Sequence, residues 1–193
     1  MRLANMVALI AFACLLGFGC DRASENANKA PDAAAAANAN AAPALAGPNF
    51  KHLGNNLHSH EGSGIQFELP RGWHLTNLGD QLIMIAPDES MSLALTVTEM
   101  KNLQQVEEEI DEELSKVMTD VKVDGKPREH NLNGMQAIAL EGTARIEGKD
   151  VLWSSALIAA KKPVLIYAFA DPERAHLREP EVDRFISSIK RLE

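Results

Sequence analysis

The stretch Asn133–Ala160, NGMQAIALEGTARIEGKDVLWSSALIAA, contains the pattern that decides the fold. It begins with Asn133-Gly134, the dipeptide most typical of a two-residue β-hairpin turn. Met135 to Ile146 then reads as one long strand, and after Glu147-Gly148 the segment Val151 to Ala160 returns antiparallel to it. The stretch therefore predicts a long β-hairpin within an antiparallel sheet.

Shorter apolar segments on both sides of this hairpin predict further strands. In Ile65–Leu69 the apolar residues alternate with polar ones, which is typical of a half-buried strand, and Pro70 ends it. The remaining predicted strands are Trp73–Leu78, Gln81–Ala86, Met91–Glu99 and Val164–Ala170. Including the strands of the long hairpin, successive predicted strands are separated by connections short enough for antiparallel pairing. The exception is a longer insertion between Glu99 and the hairpin.

Two segments show the period of an amphipathic helix. Between Leu103 and Val121 apolar residues recur every three or four positions, and Asn102 with Gln105 forms a capping box at its start. A second helix is predicted from Pro180 to Leu192. Strands joined by hairpins, with one helix inserted and another at the end, indicate an α+β domain in which helices flank an antiparallel sheet.

The order of these elements and four short motifs resemble the PsbP/DcrB-like family. The motifs are Gly64–Trp73 with its Pro-x-Gly-Trp turn, the amphipathic helix after the Met91 strand, Asn133-Gly134, and Phe185–Ile189. The resemblance implies an α/β/α sandwich around a six- to seven-stranded antiparallel sheet. It also implies a noncatalytic accessory, assembly or binding role. The family's photosynthetic members assist a manganese and calcium centre, but no residue here matches a family metal ligand.

Residues 1–19 have the features of an export signal. Arg2 supplies a positive charge, an apolar run extends from Met6 to Phe18, and a small residue precedes Cys20. The sequence around Cys20 resembles a bacterial lipobox, which predicts lipid attachment at Cys20 and a membrane-anchored lipoprotein facing the periplasm. Inner and outer membrane both remain open, as do a second lipobox ending at Cys14, a plain secretory signal and an uncleaved anchor helix.

The segment after the cysteine differs in composition from the rest of the chain. Residues 20–62 are rich in Ala, Asn and Pro at their start and contain no periodic hydrophobic pattern, so we predict a flexible tether. Periodic hydrophobicity begins at Ser63. Residues 63–193 have a length typical of one domain with a sizeable core.

Composition excludes several classes of function. The only cysteines are Cys14 and Cys20, so residues 21–193 hold no disulfide, cysteine metal ligand or cysteine nucleophile. Loss of residues 1–19 removes Arg2 alone among the charged residues and leaves 18 basic and 27 acidic side chains. An acidic balance argues against nucleic acid as a partner, because binding its phosphates requires a basic surface.

One segment contains a dense group of side chains that could ligate a metal. His58, His60 and Glu61 lie within four positions, and His52 lies shortly before them. A His-x-His pair can hold Zn, Cu or Ni in an extended segment if further ligands join it. We therefore consider a divalent metal site, with solvated linker histidines as the alternative.

Six carboxylates lie close together on the predicted helix between Leu103 and Val121. Among them Glu108, Glu109 and Glu112 form a candidate surface for a basic partner or a cation. The alternative is that these acids are simply the solvent-facing side of an amphipathic helix.

The sequence contains no Gly-rich phosphate loop, no His-Glu-x-x-His motif and no nucleophile elbow, so none of these catalytic motifs is present. We expect a lipoprotein of the cell envelope whose domain binds a protein partner or a small ligand without catalysis and without a resident cofactor. A metal-binding envelope protein using His58 and His60 is the alternative, and an envelope hydrolase is a third.

Overall fold

The computed structural model describes residues 49–99, 105, 115 and 118–193, and strands dominate these residues. They form two antiparallel sheets, one of eight and one of four strands, with one α-helix. The small sheet contains β1 (Phe50–Gly54), β2 (Leu57–His60), β3 (Ile65–Glu68) and β12 (Lys190–Arg191). The large sheet contains β4 (His74–Asn77), β5 (Gln81–Ile85), β6 (Met91–Val97), β7 (Thr119–Val123), β8 (Arg128–Leu132), β9 (Met135–Ile146), β10 (Lys149–Ile158) and β11 (Val164–Ala170).

The large sheet is built around the hairpin predicted from the sequence. Its order is β4-β5-β6-β11-β10-β9-β7, and β8 also pairs with β9. The long strand β9 spans Met135–Ile146 as predicted. The two turns that bound it carry positive φ angles at Asn133, Gly134, Glu147 and Gly148, the backbone conformation that an Asn-Gly hairpin turn needs.

The predicted sheet of six to seven strands is corrected in two respects. The described residues form an eight-stranded sheet and a separate four-stranded sheet, because the predicted strands do not include β1, β2 and β12 of the small sheet or β7 and β8 of the large sheet. The helices are also few: the described part of the chain holds α1 (Glu179–Ser188) and a 3₁₀ turn (Ala175–Leu177), besides Gln105, which is helical. The antiparallel arrangement is confirmed, and of the helices that would flank the sheet in an α/β/α sandwich the described residues contain α1.

The folded region starts before residue 63. β1 and β2 form a hairpin within the predicted tether 20–62, and β2 pairs with β3 through His58↔Phe67 and His60↔Ile65. The tether prediction is therefore wrong for residues 50–60, while residues 20–48 lie outside the described residues. The physical reason is burial: Phe50 of β1 belongs to the hydrophobic core, and His58, Ser59 and His60 of β2 are all buried.

The last helix is shorter than predicted. α1 ends at Ser188, and Ile189 is extended with φ −69° and ψ 119°. Asn133 caps this end, since its side-chain amide donates to the carbonyls of Ser187 and Ile189. The chain then continues as β12, whose Lys190 lies opposite Gln66 of β3. The end of the chain completes the small sheet instead of extending the helix.

Most of the helix predicted between Leu103 and Val121 lies outside the described residues, as do Glu108, Glu109 and Glu112. At its end the prediction is wrong, because Val121 belongs to β7. This strand pairs with β9 through Thr119↔Arg145 and Lys122↔Thr143, with a register shift between them. The β-branched residues of this segment favour the pleated arrangement.

Two groups of buried side chains lie on the two faces of the large sheet. One combines residues of both sheets and α1, including Phe67, Leu93, Met135 and Phe185, so the small sheet and α1 share one core with the large sheet. The second lies on the opposite face and includes Trp153. Within the described residues no helix has the length and hydrophobicity needed to cross a bilayer.

Candidate functional site

The predicted metal ligands lie on the β1–β2 hairpin, and the structure brings only two of them together. His52 and His58 are directly opposite each other, with His52 Nδ1 3.3 Å from His58 Nε2. His58 is fully buried, and its Nδ1 has no hydrogen-bond partner among the residues that the structure describes. Burial, together with the neighbouring His52, lowers the pKa of His58 to about 4, so this imidazole is neutral at ordinary pH.

The other two predicted ligands are engaged elsewhere. His60 Nδ1 accepts the backbone N–H of Ser63 at 3.0 Å, and His60 Nε2 lies 3.2 Å from Asp80 Oδ1. Glu61 forms an ion pair with Lys51 across the hairpin. Among the described residues no group of three or more His, Cys, Asp or Glu side chains could hold a metal ion. The four candidates thus do not form one site.

Ser63, His60 and Asp80 form an arrangement that sequence analysis missed. Because Nδ1 of His60 accepts the Ser63 N–H, the ring proton of the neutral imidazole lies on Nε2, where it faces the Asp80 carboxylate. The Ser63 hydroxyl lies 3.0 Å from Nδ1 and also donates to the His60 carbonyl. These three residue types also form hydrolase triads. Here, however, Ser63 and His60 are 0% and 1% exposed, so no substrate can reach the hydroxyl.

A cleft of about 380 Å³ lies between the large sheet and the wall formed by the 3₁₀ turn and the start of α1. Its floor consists of apolar and small side chains on strands β6, β10 and β11: Met91, Leu152, Ser154, Ala168 and Ala170. Leu152 is 37% exposed, although it lies within strand β10 of the large sheet. The small neighbours leave space above it, and this space is the cleft.

Carboxylates surround this apolar floor. Glu179 and Asp183 project from α1, and Asp124 and Glu141 lie on the opposite side at β7 and β9. Glu141 is paired with Arg128. No ion pair of the other three is found within the described part of the chain. Three uncompensated carboxylates around an apolar floor would favour a ligand that is both cationic and apolar.

A polar network fixes the position of the α1 wall. The buried indole of Trp73 donates from Nε1 to Glu181 Oε2 at 2.6 Å, and Glu181 also accepts from Arg178. Arg178 in turn forms an ion pair with Asp88, in the turn between β5 and β6. Hydrogen bonds from Arg178, and secondly from Ser90, hold the pKa of Asp88 well below its usual range. The start of α1 is thereby tied to the edge of the large sheet.

Gly142 shapes the other side of the cleft. A Cβ at this position would lie 1.9 Å from the Lys122 carbonyl oxygen and 3.0 Å from the Trp153 ring. Only glycine therefore allows β7 to approach the neighbouring strand β9 so closely, with Trp153 packed against the bare backbone. A glycine inside the predicted strand Met135–Ile146 was the sequence signal for this approach, but the cleft itself could not be derived from it.

Searches of protein-family models and of curated protein sequences find no match for this chain. Solved structures do match it. Cyanobacterial PsbP (CyanoP) from Synechocystis superposes with a TM-score of 0.54 at 10% identity, covering 72% of this chain and 95% of that one. A protein of unknown function from Pseudomonas aeruginosa, PA94, has a TM-score of 0.44 at 14% identity over 60% of this chain and 94% of its own.

A third similar structure is LpqN, described as involved in cell envelope biogenesis of Mycobacterium tuberculosis. Its TM-score is 0.44 at 13% identity, over 65% of this chain and 82% of that one. The similarity to CyanoP confirms the resemblance predicted from the sequence at the level of the fold: the chain has a PsbP-like fold. At these identities the comparisons describe architecture only.

Proposed function

We propose that this PsbP-like protein is a lipoprotein of the bacterial cell envelope, anchored through Cys20 and facing the periplasm. Its folded domain binds a protein partner and catalyses no reaction. The signal-like residues 1–19 and the cysteine that follows them support the anchor. The composition of residues 20–48 predicts a flexible chain between lipid and domain, with a root-mean-square span of roughly 30 Å.

The observation that carries this proposal is the cleft beside α1. Its exposed Leu152 offers an apolar contact, and Asp124, Glu179 and Asp183 offer negative charge around it. An extended segment with one apolar side chain flanked by Lys or Arg would satisfy both. The charges would speed encounter with such a partner, while burial of the apolar side chain would slow its release.

A noncatalytic role is supported by the placement of the polar groups. The Ser63–His60–Asp80 arrangement is closed to substrate, and its contacts join the small sheet to the turn between β4 and β5. Among the described residues the cleft is lined by carboxylates, apolar side chains and the Ser154 hydroxyl, and no histidine or lysine lies beside that hydroxyl. An acid–base pair with a nucleophile, which acyl transfer would require, is not assembled there.

The anchor would raise the efficiency of a modest interaction. A tether of this length confines the domain to a thin layer at the membrane, where the effective concentration of a membrane partner is far higher than in free solution. The mechanism therefore depends on the anchor and the cleft together. Cys20→Ala removes the anchor and Glu179→Gln/Asp183→Asn removes charges of the cleft, so each can be tested separately.

Site-specific photo-crosslinking in cells tests both parts. A photoreactive amino acid would replace Leu152 in the cleft or, as a matched control, Leu53, which is also exposed but lies on β1 outside the cleft. We expect a discrete adduct from position 152 that is lost in Glu179→Gln/Asp183→Asn and reduced in Cys20→Ala. Intact-mass analysis should show a lipid-sized increase that Cys20→Ala abolishes.

Other outcomes would contradict specific parts of the proposal. The same adducts from positions 152 and 53 would remove the cleft as the binding site. A mature protein without lipid in the soluble fraction would remove the anchor. A small molecule retained in the cleft by native mass spectrometry would replace the protein partner with a diffusible ligand.

A further inference from the structure

We propose that His52 and His58 form a two-imidazole site for a divalent transition metal, with Zn(II) as the reference ion, that clamps the first strand of the small sheet to the second. This inference is independent of the cleft and of the partner proposed above. It also differs from the four-residue site expected from the sequence, because His60 and Glu61 are excluded by their own contacts.

The spacing of the two nitrogens fits one metal ion. His52 Nδ1 and His58 Nε2 are 3.3 Å apart, and the two ring centroids are 4.7 Å apart with planes inclined by 50°. Two Zn–N bonds of about 2.0–2.1 Å at a tetrahedral angle separate the two nitrogens by about 3.3–3.4 Å. A direct N–H···N hydrogen bond would favour a shorter distance, since the usual donor–acceptor separation is about 3.0 Å.

Access and ligand chemistry also favour this pair. His52 is exposed, so an ion can approach from solvent, whereas His58 is buried and its backbone is held between β1 and β3. Imidazole nitrogen suits Zn, Cu and Ni better than it suits Mg or Ca. The net charge of −8 adds a favourable long-range field for a cation.

The geometry also limits the affinity. Protein side chains supply two ligands, so water occupies the remaining positions of a tetrahedral ion. Metal on His58 Nε2 places the ring proton on Nδ1, which has no acceptor within the described residues. Second-shell partners that orient a ligating histidine are therefore missing. We expect a dissociation constant of about 1–100 µM, far weaker than that of a four-ligand structural zinc site.

The consequence for the fold is local. His52 precedes a register shift in the β1–β2 pairing, between His52 and Gly54. A bond through the metal would fasten β1 at this irregular point, close to where the chain enters the domain. The edge strand of the small sheet would then be more stable in the presence of the metal.

Zinc titration of the mature, full-length protein without a histidine tag tests the site. The informative variant is His52→Gln, since His52 is exposed and its loss should leave the fold intact by circular dichroism. The matched control is the triple variant His74→Gln/His130→Gln/His176→Gln, which removes three exposed histidines elsewhere. We expect one zinc per chain by calorimetry for the wild type and the triple variant, and at least about tenfold weaker binding for His52→Gln.

A second measurement identifies the atoms. In ¹⁵N spectra of the histidine rings, zinc should shift Nδ1 of His52 and Nε2 of His58 and leave both nitrogens of His60 unchanged. Equal affinity of the wild type and His52→Gln would overturn the proposal, as would loss of binding in the triple variant alone. Absence of saturable binding up to about 1 mM zinc would overturn it as well.

Discussion

Replacing Trp73 with phenylalanine tests the network that holds α1 against the large sheet. The substitution removes the 2.6 Å hydrogen bond from Nε1 to the Glu181 carboxylate. Hydrogen bonds to charged groups contribute about 1.5–3 kcal/mol to stability. Glu181 keeps its ion pair with Arg178, so the carboxylate is not left unpaired and the loss should lie near the lower end, at about 2 kcal/mol.

The assay is urea unfolding followed by fluorescence, because each single tryptophan variant leaves the other tryptophan as reporter. Trp153→Phe is the matched control: its Nε1 donates to the uncharged carbonyl of Thr143 at 3.3 Å. A neutral bond of this length contributes about 0.5–1.5 kcal/mol. Trp73→Phe should therefore lower the free energy of unfolding more than Trp153→Phe. A loss of about 2 kcal/mol corresponds to a fall of about 4–8 °C in Tm for a domain of this size.

A double-mutant cycle separates the hydrogen bond from packing. If the Trp73–Glu181 bond is responsible, Trp73→Phe and Glu181→Ala, which removes the acceptor, should show a coupling energy of about 1 kcal/mol or more. Additive losses, within about 0.3–0.5 kcal/mol, would refute the reasoning. They would mean that the indole acts by filling volume alone.

Three further predictions concern the cleft and its supports. Gly142→Ala should lower the free energy of unfolding by about 1–3 kcal/mol or more, because the new Cβ would clash with the Lys122 carbonyl oxygen. Hydrogen exchange should show lost protection at the Asp124 amide, which donates to the Glu141 carbonyl. Unchanged exchange at this amide would contradict the close approach of β7 to β9. The pKa of Asp88 in the folded protein lies below its unfolded value of about 3.9, so its contribution to stability is present above about pH 4 and is lost as the pH falls further. The Asp88→Asn variant should therefore lose less stability than the wild type between pH 5 and pH 3. An equal loss in both proteins would exclude Asp88 as the cause of the acid destabilisation. Binding of a basic peptide to the cleft should weaken with added salt in the wild type and much less in Glu179→Gln/Asp183→Asn, whereas the same salt dependence in both would assign the attraction to other charges.

The parts of the fold that the sequence predicts well are those where local and long-range preferences agree. β9 has the predicted bounds because Asn133-Gly134 and Glu147-Gly148 adopt turn conformations that also suit the hairpin. Val164–Ala170 agrees as well, since a continuous apolar run can be satisfied only by burial in the sheet. In both cases the residues of the strand and its adjoining turns are sufficient to predict where the strand begins and ends.

Other parts depend on contacts between distant segments and could not be read from a local pattern. β2 contains two histidines at buried positions, His58 and His60, and a hydropathy pattern scores those positions as polar. α1 ends at Ser188 because Asn133 caps it and because β3 offers a free edge to Lys190 and Arg191. The shape of the cleft depends on the position of α1 and on the close approach of β7 to β9 at Gly142, and neither follows from a local sequence pattern. The metal prediction grouped four residues of one segment, but strand pairing decided that His52 lies beside His58 and that His60 turns to Asp80.

The pairing of β12 with β3 has a consequence for how this protein completes its folding. The small sheet joins the early strand β3 to the late strand β12, and the Leu192 amide donates to the Gly64 carbonyl. The edge of β3 therefore stays open until Lys190 and Arg191 have docked. A chain truncated before Lys190 would expose that edge to strands of other molecules. Closure of the small sheet thus depends on a contact between distant segments, and a circular permutant that joins residue 193 to residue 49 would form the same contact early and locally.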